Sequence, residues 1–217
     1  YGTASVPAVE RITGPGNAYV AAAKALVSAD CPIDFNAGPS EIVVLSNGGT
    51  PAWIAADLIA QAEHDPDARA IFITTTRALA TKVARAITSY PTQIAVIVAR
   101  NAAESIALVN RFAPEHAVCD DDATAAGITT AGTIFVGPWS AQAAGDYVTG
   151  SNHILPTGGA ARFRGGLSAA DFVKVTAVQR VTRDGLRRIG PAAIALADAE
   201  GLAGHAGSIR MRMGDMR

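Results

Sequence analysis

The sequence predicts an α/β protein built on a mainly parallel sheet, and two observations carry that reading. Short β-branched runs alternate with Ala-rich stretches of helical length, the rhythm of helices layered on a sheet. The runs at 42–45, 70–74, 94–98 and 133–136 are also apolar almost throughout. Strands read that way when helices cover both faces of a parallel sheet.

Taken in order, Val9–Thr13 has strand rhythm, Gly14-Pro15-Gly16-Asn17 reads as a turn, and a helix follows through about Ser28. Ala37-Gly38-Pro39-Ser40-Glu41 is a tight turn into the first core strand, with Ser40 either capping or touching a ligand. Thr50-Pro51 opens a helix as a cap followed by proline at the first helical position. Helices are expected over about 51–64, 77–88 and 102–112, between the core strands. After Pro156 a Gly-rich loop runs from Gly158 to Gly166 and a further segment continues through Val181. A helix is expected from about Asp184 to Glu200, before a tail ending Arg210-Met211-Arg212-Met213. There is no internal repeat and no low-complexity segment.

Composition narrows the function classes. With 217 residues, 49% hydrophobic, 17% charged and a net charge of -1, the chain can bury a substantial core. It has no electrostatic pull toward nucleic acid or anionic membrane. No apolar run approaches the roughly 20 residues that span a bilayer. Cys31 and Cys119 stand alone, outside any CxxC, which predicts neither a disulfide framework nor a cysteine zinc site. A reducing cytoplasm is the expected compartment. Tyr1 is neither a methionine nor the start of a signal-like segment, so the N-terminus reads as cut.

All four histidines lie in short polar motifs: Gln61-Ala62-Glu63-His64, Pro114-Glu115-His116, the Gly145–His153 loop, and Glu200-Gly201-Leu202-Ala203-Gly204-His205. Imidazole is the commonest metal ligand and the side chain best tuned for proton transfer near neutrality. Gln61 and His64 fall three apart, on one face at a helix end. They form a feasible metal pair, or His64 complements the helix dipole. Glu115-His116 is a base pair of groups able to move protons, or a surface turn. Asp146, near Asn152 and His153, is a ligand in a functional loop or a turn aspartate. The Gly14–Asn17 turn could offer N–H groups to a phosphate or nucleotide, or be only a turn.

Together and in this order the motifs resemble histidinol dehydrogenases. ITGPGNAYV, AGPSEIVVL, ADLIAQAEHDPDA, APEHAV, AGTIFVGPWS, GDYVTGSNHILPT, GLSAADFVKV and AEGLAGH run from about Arg11 to His205. QAEHD, PEH and GDYxxGSNHxLPT in that order are highly specific to the family. The resemblance implies incomplete Rossmann-like domains with a mainly parallel sheet, plus a small C-terminal helical tail. Residues 1–36 would end a second Rossmann-like domain, 37–160 would form the catalytic domain, and 161–217 a tail reaching a partner subunit. It implies zinc-dependent, NAD-linked oxidation of L-histidinol to L-histidine through the aldehyde. A paralogous enzyme for another polar alcohol, such as a sulfonated diol, and a truncated non-catalytic zinc binder are the rival readings.

By the same resemblance Gln61, His64, Asp146 and His205 hold zinc. His116 is the base for the alcohol step, and Glu115 activates water at the aldehyde level. Ser40, His153 and Glu200 hold the substrate together with His116 and the metal ligands, and Asn17 touches NAD. A homodimer would complete each site in trans. Two departures stand out. Family members are about twice this length, and the segment between the helix ending near Ser89 and the strand at 94–98 is shorter than theirs.

Overall fold

A computed structural model describes residues 2–88 and 93–214. Five strands, β1 (Glu41–Leu45), β2 (Arg69–Thr74), β3 (Ile94–Val98), β4 (His116–Cys119) and β5 (Thr133–Val136), form one sheet in the order β3-β2-β1-β4-β5. Every pairing is parallel. The helices between them are α2 (Pro51–Ala62), α3 (Arg77–Ala86), α4 (Ala102–Phe112) and α5 (Asp122–Gly127), with α1 (Ala18–Val27) preceding β1. The shortened stretch expected near 89–94 lies mostly outside the described residues.

Strand alternation divides the core in two. Ile42, Val44 and Phe72 pack with Ile54 and Leu58 of α2 and Leu79 and Val83 of α3. Val43, Leu45, Ile73 and Ala117 pack instead with Val109 of α4 and with Ile128. Successive side chains on a strand point to opposite faces, so near-continuous apolar runs result when both faces are covered. α2 shows its own period, burying Ile54, Leu58, Gln61 and Ala62. Its N-cap is Thr50 with Pro51 at the first helical position, although the Thr50 hydroxyl makes no capping hydrogen bond.

Several expectations are corrected. Val9–Thr13 is not a sheet strand: Ile12 makes one isolated bridge with Ile33. The Gly14–Asn17 turn leads into α1, where the Asn17 side-chain oxygen accepts the N–H groups of Tyr19 and Val20 as its cap. The tail contains a further helix, α7 (Ala203–Gly214), after α6 (Arg183–Ala199). By compactness the chain divides into Tyr1–Val173 and Lys174–Arg217. In the second unit α6 and α7 pack on each other. No helix of the described residues is long and apolar enough to cross a membrane.

Candidate active site

β1 and β4 are neighbours, and Ile42 lies opposite His116. Register therefore brings the residues that lead into both strands, Ser40-Glu41 and Glu115-His116, to one edge of the sheet. This is the amino edge, whereas open α/β sheets usually carry ligands at the carboxyl edge. The approach to β4 is tightly set. Ala113 caps α4 in a left-handed conformation at φ 52°, which is costly for a residue with a Cβ, and Pro114 prevents the helix from continuing. Beside it, the backbone of Gly132 lies so close that a Cβ there would sit 2.6 Å from the Glu115 carbonyl oxygen.

Glu115 and His116 are almost fully enclosed, at 6% and 4% exposure. Glu115 Oε2 accepts the Ser40 hydroxyl at 2.8 Å and the Glu41 N–H at 3.1 Å. His116 Nδ1 lies 3.2 Å from the Glu41 carbonyl oxygen. That oxygen can only accept, so the neutral ring carries its proton on Nδ1 and leaves Nε2 as the basic lone pair. The Glu115 carboxylate, 3.7 Å from Nδ1, is beyond hydrogen-bond length. The His116 ring leans on Phe135, 6.0 Å between centroids and tilted 41°. Gly145 makes room for Phe135, since a Cβ there would meet its ring at 2.5 Å.

Burial pushes the Glu115 carboxyl up to about 7, against its bonds to Ser40 and the Glu41 N–H and helped by the Glu41 and Asp146 carboxylates. Burial likewise lowers His116, with His64 adding to the effect and Asp146 and the Glu41 carbonyl opposing it. Both shifts favour the uncharged forms, the imidazole being held toward neutral and the carboxyl poised near neutrality. The folded chain keeps a proton on Glu115 that the unfolded chain releases near 4.5. Its contribution to stability is present below about pH 4.5 and is lost as pH rises through about 7. The variant Glu115→Gln is expected to match wild type in denaturant unfolding near pH 4. Near pH 8 it should be more stable by on the order of 3 kcal/mol. An equal difference at both pH values would refute the raised carboxyl.

A cavity of about 400 Å³ opens on this edge, and Ser40, His64, Glu115, His116, Asp146 and His153 all line it. Asp146 reaches it from the 3₁₀ turn Gln142–Asp146, and His64 from beyond Glu63, the C-cap of α2. The Gly14–Gly16 turn forms another wall. The buried Lys24–Asp34 ion pair holds that turn: Lys24 Nζ donates to the Gly14 carbonyl at 3.0 Å, and the Gly14 N–H donates to Asp34 at 2.9 Å. Six of the predicted site residues thus meet in one place.

Gln61 stands apart. Its side chain is 0% exposed, and neither its amide oxygen nor its nitrogen has a hydrogen-bond partner. An unpaired buried amide is costly, so this carboxamide fits a residue whose partner is a bound group. Among the described residues no three His, Cys, Asp or Glu side chains form a ready metal cluster. Of the expected set only His64 and Asp146 are of those types in the first unit. His205 lies on α7 and Glu200 is the C-cap of α6, both in the second unit. Asn17 spends its side-chain oxygen on the α1 cap.

Sequence reasoning missed Glu41, whose backbone orients both Glu115 and His116, and it missed Phe135. A backbone role leaves no mark on residue type, so Glu41 was unreadable. Lys24 had a signal, as the lone charge within AYVAAAKALV.

Fold and site define an α/β domain of the Rossmann-like class that carries a buried carboxyl–imidazole pair. The chain belongs to the histidinol dehydrogenase family, whose model matches residues 1–213. It is 47% identical to histidinol dehydrogenase of Cereibacter sphaeroides, over 98% of this chain and 53% of that protein. It is 48% identical to that of Geobacter sulfurreducens, over 98% and 54%. The crystal structure of histidinol dehydrogenase from Elizabethkingia anophelis superposes with a TM-score of 0.90 at 36% identity, covering 99% of this chain and 54% of that one. The chain thus spans about half the length of these relatives. The first alignment runs to 231 positions against 217 residues here, so that relative carries residues within the matched region that this chain lacks.

Proposed function

We propose that the amino-edge cavity serves the oxidation of L-histidinol to L-histidine through the aldehyde, with NAD as hydride acceptor and zinc as substrate anchor. The observation that carries this reading is the convergence of Ser40, His64, Glu115, His116, Asp146 and His153 on one cavity in a chain of this family. The relatives' names supply the substrate.

Gln61, His64, Asp146 and His205 would hold the metal, a set of two nitrogens and two oxygens suited to zinc. The unpaired Gln61 amide supports that assignment. When bound, zinc supplies a fixed positive anchor for the substrate's imidazole and amine, and NAD takes up the hydride. His116 Nε2 accepts the hydroxyl proton as the alcohol loses its hydride. Glu115 then takes a proton from the water that adds to the aldehyde, and its raised carboxyl suits a group that must both accept and return protons near neutrality. Ser40 fixes the Glu115 carboxylate and, with His153 and Glu200, contacts substrate. Asn17 offers NAD the amide nitrogen that its cap does not use.

His205 and Glu200 belong to the second unit, and we propose that this unit completes the site of a two-fold partner. Mixing inactive His116→Ala chains with inactive His205→Ala chains should then restore some activity. Mixtures that exchange subunits yet stay inactive would place the tail on its own chain.

The reaction removes two hydrides in sequence, so each L-histidinol should yield two NADH. Supplying L-histidinol and NAD to the zinc-loaded chain and measuring NADH absorbance tests this. No histidinol-dependent NADH, or one NADH with aldehyde accumulating, would overturn it.

A further inference from the structure

We infer that the chain carries a second small-molecule site, for a flat organic cation, at the carboxyl edge of the sheet. A cavity of about 640 Å³ lies there, between the ends of β1 and β4 and the first turns of α2. The connection from β1 leads outward to β2, and the chain later returns to β4 on the other side of β1. Open α/β sheets bind ligands where their strand order reverses in this way. Glu41 and Leu45 mark the two ends of β1, so this cavity lies roughly 15 Å, a strand's length, from the His116 cavity.

The lining specifies the ligand. Trp53 and Trp139 lie side by side in its wall and touch one another, 5.4 Å between ring centroids and tilted by 49°, so a ligand would meet their outer faces. The charged side chains of its lining are Asp57 and Asp120, and no Lys, Arg or His is among them. Asp120 accepts the Asn47 N–H at 2.8 Å. Asp57 is half-buried, one helical turn from Trp53, and makes no hydrogen bond or ion pair among the described residues. Indole faces and carboxylates both attract cations, and together they repel phosphates and carboxylates. The N-terminus of α2 opposes this with roughly half an elementary charge, which two full carboxylates outweigh. A flat cation suits this lining better than a small anion does.

Trp53 and Trp139 are the chain's only two tryptophans, so intrinsic tryptophan fluorescence reports on this cavity alone. Titration with benzyltrimethylammonium should give a saturable change. Benzyl alcohol should bind about tenfold more weakly, and benzoate not at all. The variant Asp57→Asn, checked for folding by circular dichroism, should weaken the cation about tenfold. Should that variant fail to fold, added salt serves instead, weakening the cation in wild type but not the alcohol. Equal affinity for the three probes, a folded Asp57→Asn that binds the cation as wild type does, or salt-independent cation binding would overturn the proposal.

Discussion

Replacing His116 by Asn is expected to lower turnover by about 10²–10⁴-fold, the usual contribution of a positioned general base, while zinc content stays at the wild-type level. His116 lies on β4 with its Nδ1 committed to the Glu41 carbonyl, so its other nitrogen is the one free to take a proton. Asn can keep the N–H toward Glu41 and loses only the base, which separates chemistry from folding. Kinetics and metal analysis on the same preparation decide the point. Loss of zinc would make His116 a ligand, and retained turnover would remove it from the reaction.

Replacing His64 by Ala is expected to abolish stoichiometric zinc, because a site with two nitrogen donors rarely survives the loss of one. His64 is exposed and lies beyond the C-cap of α2, so the fold itself should lose little stability. That contrast makes the experiment informative: thermal unfolding of the metal-free variant should match metal-free wild type, while metal content falls. Unchanged zinc in His64→Ala would sink the assignment and leave the Gln61 amide without an explanation.

Periodicity made most of the architecture readable before any coordinates. Strands at 42–45, 70–74, 94–98 and 133–136 and helices beginning at Pro51, Arg77 and Ala102 all stand within two residues of their expected starts or ends. What failed did so for physical reasons. Ile12 has strand-like neighbours in sequence but only Ile33 to pair with. The helix Ala203–Gly214 has Gly204 in its first turn and contains Gly207, residues that argue against helix, and its packing on α6 overrides them.

The site was legible as residue types and illegible as placement. Glu115, His116 and Asp146 announce chemistry by their neighbours in sequence. Nothing in the sequence said that they gather at the amino edge of the sheet, because that follows from β1 and β4 being neighbours. The local scaffolding was hidden as well: Gly132 against the Glu115 carbonyl and Gly145 against Phe135 are close approaches between different elements of the fold. Such contacts depend on tertiary register, which local patterns do not encode.

On the proposed function, one amino-edge cavity binds a divalent metal and L-histidinol together. Calorimetric titration of L-histidinol onto the zinc-loaded chain tests it without requiring NAD or turnover. Binding should be saturable, disappear when a chelator removes the metal, and be absent in His64→Ala. Histidinol binding of equal strength with and without the metal, or none to chain shown to carry zinc, would contradict it.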